Sequence, residues 1–276
     1  MNRAALVVVL FSLWGCASPE PPRLDPERSA FEFKSRTLAD PGLRNFIEAN
    51  LGTKLDLFPP PSWNLRTLTL VAFYFHPDLD VARAHLGLVR AGIRTSQAWP
   101  NPTASVDLEK VTNPTKGISP WVYGFSLNMP LDTLWKRGYR IDQAERLSEQ
   151  ARLELALSGW RVRSRLRATL LDHLLSAGEL DLRRQEEAVR AEVAVAQGRR
   201  LAVGAVFRLD VDRAEAEVAG ARAAIRAAEG QLAESRSALA SAIGIPPRAL
   251  EGAVVLWPDL ETPPPSETLL PQDLER

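Results

Sequence analysis

Leu68, Ala72, Phe75, Leu79, Ala82, Leu86, Val89 and Ile93 recur at spacings of three and four, so they share one helical face. The spacing predicts a helix from Thr67 to Trp99, kinked or broken at Pro77, where a backbone donor is missing. Pro100 and Pro102 stop it. The period then changes to two. In residues 104–109 the even positions are apolar, and in the run Trp121, Tyr123, Phe125, Leu127 and Met129 the odd ones are. Asn113, Pro114, Gly117 and Pro120 lie between the runs as a turn. The pattern predicts a β-hairpin with one apolar, aromatic-rich face. Such alternation suits a transmembrane β-barrel and equally a soluble hairpin packed on a helix.

From Leu134 to Leu201 the pattern is helical again, and Val203, Gly204 and Ala205 interrupt it. The last helix, Arg208 to Ile243, carries a heptad seam. Val211, Val218, Ile225, Leu232 and Leu239 recur every seven residues, with Ala214, Ala221, Ala228, Ser235 and Ala242 three places later. Small residues in alternate layers let a neighbouring helix approach closely. Away from the seam, Arg213, Glu217, Arg222, Glu229, Glu234 and Arg236 read as a solvated face. Laid end to end, the first and third helices match the second in length. The expected fold class is mainly α: a long antiparallel helical hairpin carrying one β-hairpin over residues 103–130.

Composition agrees. Of 21 prolines, none falls between Leu131 and Ile245, where Ala, Arg, Glu and Leu dominate. Lys+Arg and Asp+Glu both number 34, so no basic footprint for nucleic acid exists overall. One cysteine excludes an internal disulfide framework. His76, His85 and His173 are scattered, and no phosphate loop, His-Glu-x-x-His or Gly-x-Ser-x-Gly occurs. No catalytic, metal or cofactor site is expected, and the chain reads as a non-enzyme.

Arg3 followed by the apolar run Ala4–Leu13 reads as a signal peptide over residues 1–15. Leu13-Trp14-Gly15-Cys16 resembles the bacterial lipobox, which would make Cys16 the lipidated residue. An ordinary signal peptide with an incidental Cys is the other reading. Ala17 and Ser18 follow in place of the inner-membrane retention Asp, which implies the outer membrane. Residues 16–63 read as a Pro-rich tether with one short helix near 43–51, and residues 248–276 as an extended tail. No later segment offers 18 consecutive apolar residues, so any membrane crossing must use strands.

The order of elements resembles one repeat of the TolC-like outer-membrane efflux factors, over residues 64–247. Leu68-Thr69-Leu70 followed by His76-Pro77-Asp78-Leu79 is similar to the family's opening, with His76 in place of an Asn. Trp99-Pro100-Asn101-Pro102 is similar to its helix-to-strand corner, and Lys136–Arg140 followed by Ala144-Glu145 to the start of its long helix. Residues 201–215 are similar to its periplasmic tip, and Gly244-Ile245-Pro246 to its close. The resemblance implies a channel component of a tripartite efflux system, passively exporting small molecules or ions across periplasm and outer membrane. It implies partnership with a periplasmic adaptor (membrane fusion) protein and an inner-membrane transporter. Adaptor docking would fall on Val203, Gly204, Ala205, Val206, Arg208 and Asp210. Members of that family usually carry two repeats, and three chains give twelve strands. One repeat implies six copies, a complementing second repeat, or a truncated product. The alternative is a lipid-anchored periplasmic coiled-coil spacer, or a non-conducting half-repeat.

Overall fold

The computed structural model describes residues 25–99, 101–110, 112, 120–128 and 133–258. Cys16, Met129 and most of the C-terminal tail lie outside the described residues. Residues 25–36 belong to a separate unit. In it, α1 (Pro26–Ser35) starts on Asp25, whose carboxylate accepts the Glu27 and Arg28 N–H groups at 3.0 and 3.1 Å. A helix therefore stands where an extended tether is expected, set by a cap and a proline at its first position.

The second unit begins at Thr37. Its first helix, α2 (Pro41–Leu51), is capped by Asp40 and closed by Gly52 at φ 68°. Asn64 and Thr67 form a reciprocal capping box, with N–H donations of 2.9 and 3.1 Å, at the start of α3 (Leu65–Phe75). Then α4 (Pro77–Gln97) follows after a single extended residue, His76. The break has the expected cause: Pro77 supplies no N–H and pushes the residue before it out of the helical region. Strands β1 (Thr103–Lys110) and β2 (Trp121–Asn128) pair antiparallel. The 70-residue α5 (Thr133–Ala202) and α6 (Arg208–Ile243) complete the order, followed by a 3-10 turn over Pro247–Leu250.

The core is a knot at mid-length of α5. Leu43 and Ile47 of α2, Leu68, Val71, Ala72 and Phe75 of α3, and Leu79 of α4 meet Leu155, Leu166 and Leu170 of α5 and Leu239 and Ile243 of α6. Trp63 is buried there too. Its N–H donates to the Val254 carbonyl at 2.8 Å, and its carbonyl accepts from Leu256 N–H at 2.9 Å. Residues 37–63 and 251–256, expected as tether and tail, thus pack on this knot. Away from it α5 has one partner at a time: α4 toward the strands, α6 toward the far end. The single long helix is therefore matched by two shorter ones, as the lengths predict.

Two glycine closures hold the ends of α5 and α6. After α5, Ala205 N–H donates to the Arg200 carbonyl and Gly204 N–H to that of Leu201, both at 2.9 Å. After α6, Ile245 N–H donates to the Ala240 carbonyl at 3.0 Å and Gly244 N–H to that of Ser241 at 3.1 Å. Each is a Schellman pair around a left-handed glycine, Gly204 at φ 72° and Gly244 at φ 89°. Gly244 also lies against the carbonyl of Phe75, so the end of α6 abuts the start of α4.

Candidate functional site

The hairpin register sets Ala104 opposite Leu127, Val106 opposite Phe125 and Leu108 opposite Tyr123. Directly opposed residues project to the same side of a sheet. One face is therefore an apolar ladder ending in Lys110 and Trp121, where the ammonium lies 5.6 Å from the ring. The other face carries Thr103 and Asn128, Ser105 and Ser126, and Asp107 and Glu109, the last two opposite Gly124 and the exposed Val122. The serine hydroxyls are 2.6 Å apart. Both faces are exposed, and the soluble-hairpin alternative would have buried the apolar one on a helix. Among the described residues the sheet has only these two strands, so each outer edge lacks a partner. No helix of the described residues is long and apolar enough to cross a membrane.

The heptad seam of α6 faces α5. Val211, Ala214, Val218, Ala221, Ala228, Ser235, Leu239 and Ala242 are buried, and Ile225 and Leu232 half-buried. Two of the charges on the expected solvated face, exposed as expected, also reach α5: Arg222 lies 2.9 Å from Glu187 and Glu229 3.2 Å from Arg184. Exposed pairs of this kind contribute at most about 1 kcal/mol each. A second apolar stripe remains uncovered. Leu175, Leu182 and Val189 recur every seven residues on α5, and Val81 and Leu88 do so on α4, all exposed. Reading one face per helix missed this stripe, although its heptad spacing was there to find.

At the far end, the loop between α5 and α6 presents Val203, Phe207 and Leu209, which are 79 %, 82 % and 70 % exposed. Phe207 and Leu209 were not among the expected tip residues, because nothing in their spacing distinguishes an exposed apolar side chain from a buried one. Arg208 and Asp210 are engaged locally. Arg208 Nε donates to Asp212 at 2.8 Å, and the Asp210 carboxylate accepts the Phe207 N–H at 3.0 Å, closing the first turn of α6. Gly204, Ala205 and half-buried Val206 form the turn itself.

His76 caps α4. It is buried, and its Nδ1 accepts the Asp78 N–H at 3.2 Å, which requires that nitrogen to be unprotonated. Burial pushes its pKa below the ordinary histidine value, Arg165 of α5 pushes the same way, and Asp78 and Asp80 oppose them. The unfolded chain therefore takes up the proton first as pH falls. His76 contributes stability that is intact above about pH 6.5 and is lost as pH falls through its folded pKa. A His76→Asn variant, keeping a capping acceptor without a titrating ring, should show a flatter fall in denaturation midpoint on acidification. Parallel curves for the two proteins would refute this. His173, held near Ser235 Oγ at 3.3 Å, is unchanged in both and cancels from the comparison. Among the described residues no cluster of His, Cys, Asp and Glu is arranged to hold a metal ion.

The family described as outer membrane efflux protein matches residues 75–245. The cobalt-zinc-cadmium resistance protein CzcC of Cupriavidus metallidurans is 27 % identical over 167 residues, covering 60 % of this chain and 39 % of that protein. Among solved structures, the outer membrane protein VceC of Vibrio cholerae matches with a TM-score of 0.54 at 19 % identity, covering 68 % of this chain and 48 % of that one. The CmeC outer membrane channel of Campylobacter jejuni matches at 0.53 and 15 %, covering 83 % and 49 %. These structures share the fold. The chain spans less than two thirds of the length of each of these relatives.

Proposed function

Because this chain belongs to the outer membrane efflux protein family, we propose that it builds part of a passive duct leading from the periplasm through the outer membrane. Members of this family are non-enzymatic transport components, outer-membrane channels that extend into the periplasm. The observation that carries the reading is the hairpin register, which collects every large apolar residue of β1 on one uncovered face with those at alternate positions of β2. In lipid that face is satisfied, while the serine, asparagine and carboxylate face lines water. A periplasmic spacer would need no such face. The two outer strand edges cannot remain open in hydrocarbon, so further strands must pair with them. Further copies of this chain or a complementing repeat supply those strands, and the second stripe on α4 and α5 packs against the helices that come with them. Cys16 carries the lipid that holds the assembly at the outer membrane.

Energy comes from an inner-membrane transporter, handed over through a periplasmic adaptor at the α5–α6 loop. Divalent metal ions are the first cargo to test, given the relative's role in cobalt, zinc and cadmium resistance. The reading is tested by sizing the detergent-extracted protein by native mass measurement and recording it in a planar bilayer. Steady conductance from an oligomer supports it. A conducting monomer, or an oligomer that never conducts, overturns it.

The loop makes its own prediction. Phe207→Ala with Leu209→Ala removes two exposed apolar anchors, touches nothing buried and adds no capping side chain at Phe207, the N-cap of α6, so folding stability should stay within about 0.5 kcal/mol. Adaptor recovered with the protein from cells making the whole system should fall roughly tenfold or more, as expected for losing two apolar side chains from an interface. Unchanged recovery would place docking elsewhere.

A further inference from the structure

We propose that Arg163 and Arg167 of α5, with Trp160 beside them, are a docking surface for a second copy of this chain, which brings Asp78, in the first turn of its α4, against the two guanidinium groups. The proposal rests on the duct reading given above and names the contact by which copies join at the level of the knot.

Residues 155–171 of α5 hold four arginines and no carboxylate. The flanking acids, Glu154 and Asp172, stand nine residues before and nine after Arg163. At ~3.6 residues per turn, both lie ~180° round the helix from it. Arg161 and Arg165 share that far side, at ~160°. Arg163 and Arg167 are left four apart on the near side, with Trp160 one turn before Arg163. Among the described residues no carboxylate pairs with either arginine. The Arg163 guanidinium lies 5.8 Å from the centre of the Trp160 ring. Burial pushes its pKa below the ordinary arginine value, and Arg167 pushes the same way. Two like charges held together, one of them half-buried, cost free energy until an anion meets them.

The chain carries a matching anion where it cannot use it itself. The Asp78 side chain is 72 % exposed. Among the described residues the one basic group within 4 Å of its carboxylate is His76, at 3.9 Å, and that ring nitrogen is unprotonated. Glu154, on the far side of α5 from Arg163, lies 3.7 Å from His85 of α4. Asp78 stands seven residues before His85 and so shares its face of α4. Asp78 and the arginine pair therefore stand on opposite sides of one chain. They also stand at one height, since Arg165 is close enough to His76 to act on its pKa. A contact between two different patches runs head to tail, and a suitable rotation between copies closes it into a ring. With the strands of all copies in one membrane, their knots lie level, and the two patches meet without a shift along the rod. Trp160 beside the arginines and Val81 one turn after Asp78, both exposed, give the contact an apolar part.

The test uses the full chain, extracted in detergent and sized by native mass measurement. Arg163→Glu with Arg167→Glu, and separately Asp78→Lys, should each weaken assembly roughly tenfold or more, because each sets like charges face to face at every contact. Co-expressed, the two variants should assemble again in equal numbers, since alternating copies pair opposite charges at every contact. All three substitutions in one chain should likewise restore the parent's assembly. A merely structural role in the knot would not be rescued by a second chain. Parental assembly of either variant alone, or losses that neither the mixture nor the combined variant restores, overturns the contact and leaves the duct reading standing. A parent that assembles only with a second polypeptide does the same. A parent that stays monomeric overturns both.

Discussion

Phe125→Lys is expected to keep the hairpin out of the membrane. Phe125 sits mid-strand on the apolar ladder, opposite Val106, and is 74 % exposed. A lysine at the midplane of a lipid-facing strand costs about 2–4 kcal/mol. Every copy in a closed assembly carries the same lesion, so the penalty accumulates with the number of chains. The helical knot lies elsewhere in the chain, so circular dichroism should show helix content close to that of the parent. Ser126→Lys is the matched control one residue away. It points to the opposite face, where its loss removes one exposed hydroxyl contact with Ser105. Because the lipid on Cys16 would keep both variants with the membranes, the readout is protease protection of the hairpin in the membrane fraction, which should persist in the Ser126 variant and be lost in the Phe125 variant. Equal protection of both would mean the ladder does not face lipid.

Gly244→Ala should destabilise the folded chain by roughly 2–4 kcal/mol, adding the left-handed backbone cost of a residue with a side chain to a contact that cannot relax. A Cβ at this position would lie 2.8 Å from the Phe75 carbonyl oxygen and 3.0 Å from Phe75 C and His76 Cα. All three are backbone atoms in the joint where α3, α4 and α6 meet, so no side-chain rotation makes room. Gly204 offers the internal comparison. Its φ is also positive, at 72°, yet nothing lies within 4 Å of its would-be Cβ. Gly204→Ala should therefore cost only about 1–2 kcal/mol, the conformational part alone. Urea titrations of both variants separate the two contributions. Equal shifts would show that the close approach at the joint carries no energy.

Much of this architecture is legible in the residue pattern. Arg208–Ile243 matches α6 at both ends because the seam is regular, a glycine closes it and a loop precedes it. The break at Pro77 and the two strands follow from equally local causes. What escaped had causes remote in the chain. The pairing of Trp63 with Val254 and Leu256 leaves no periodic trace, so residues 37–63 read as tether although Leu43, Ile47 and Trp63 are core. α1 was hidden because its capping Asp25 and Pro26 stand in a proline-rich stretch whose composition dominates the reading. The candidate site divides in the same way. The ladder of Trp121, Tyr123, Phe125 and Leu127 is visible as alternation. The exposure of Phe207 and Leu209, and the local bonds that occupy Arg208 and Asp210, appear only once the loop is folded. His76 looked like a departure from an expected asparagine, and only the geometry of its ring nitrogen shows that it performs the same capping.

The matching of one long helix by two shorter ones restricts how such a chain can change size. Seven residues removed from α5 alone, ~10 Å of rod, would slide every later seam layer out of register with α6. The same cut made in both helices, at facing layers beyond the Gly244 joint, would leave the strands, the knot and the tip intact. Evolution or design can therefore change the length of the helical hairpin beyond that joint only in paired heptad steps. Relatives of differing reach should differ by insertions that come in twos, placed symmetrically about the tip.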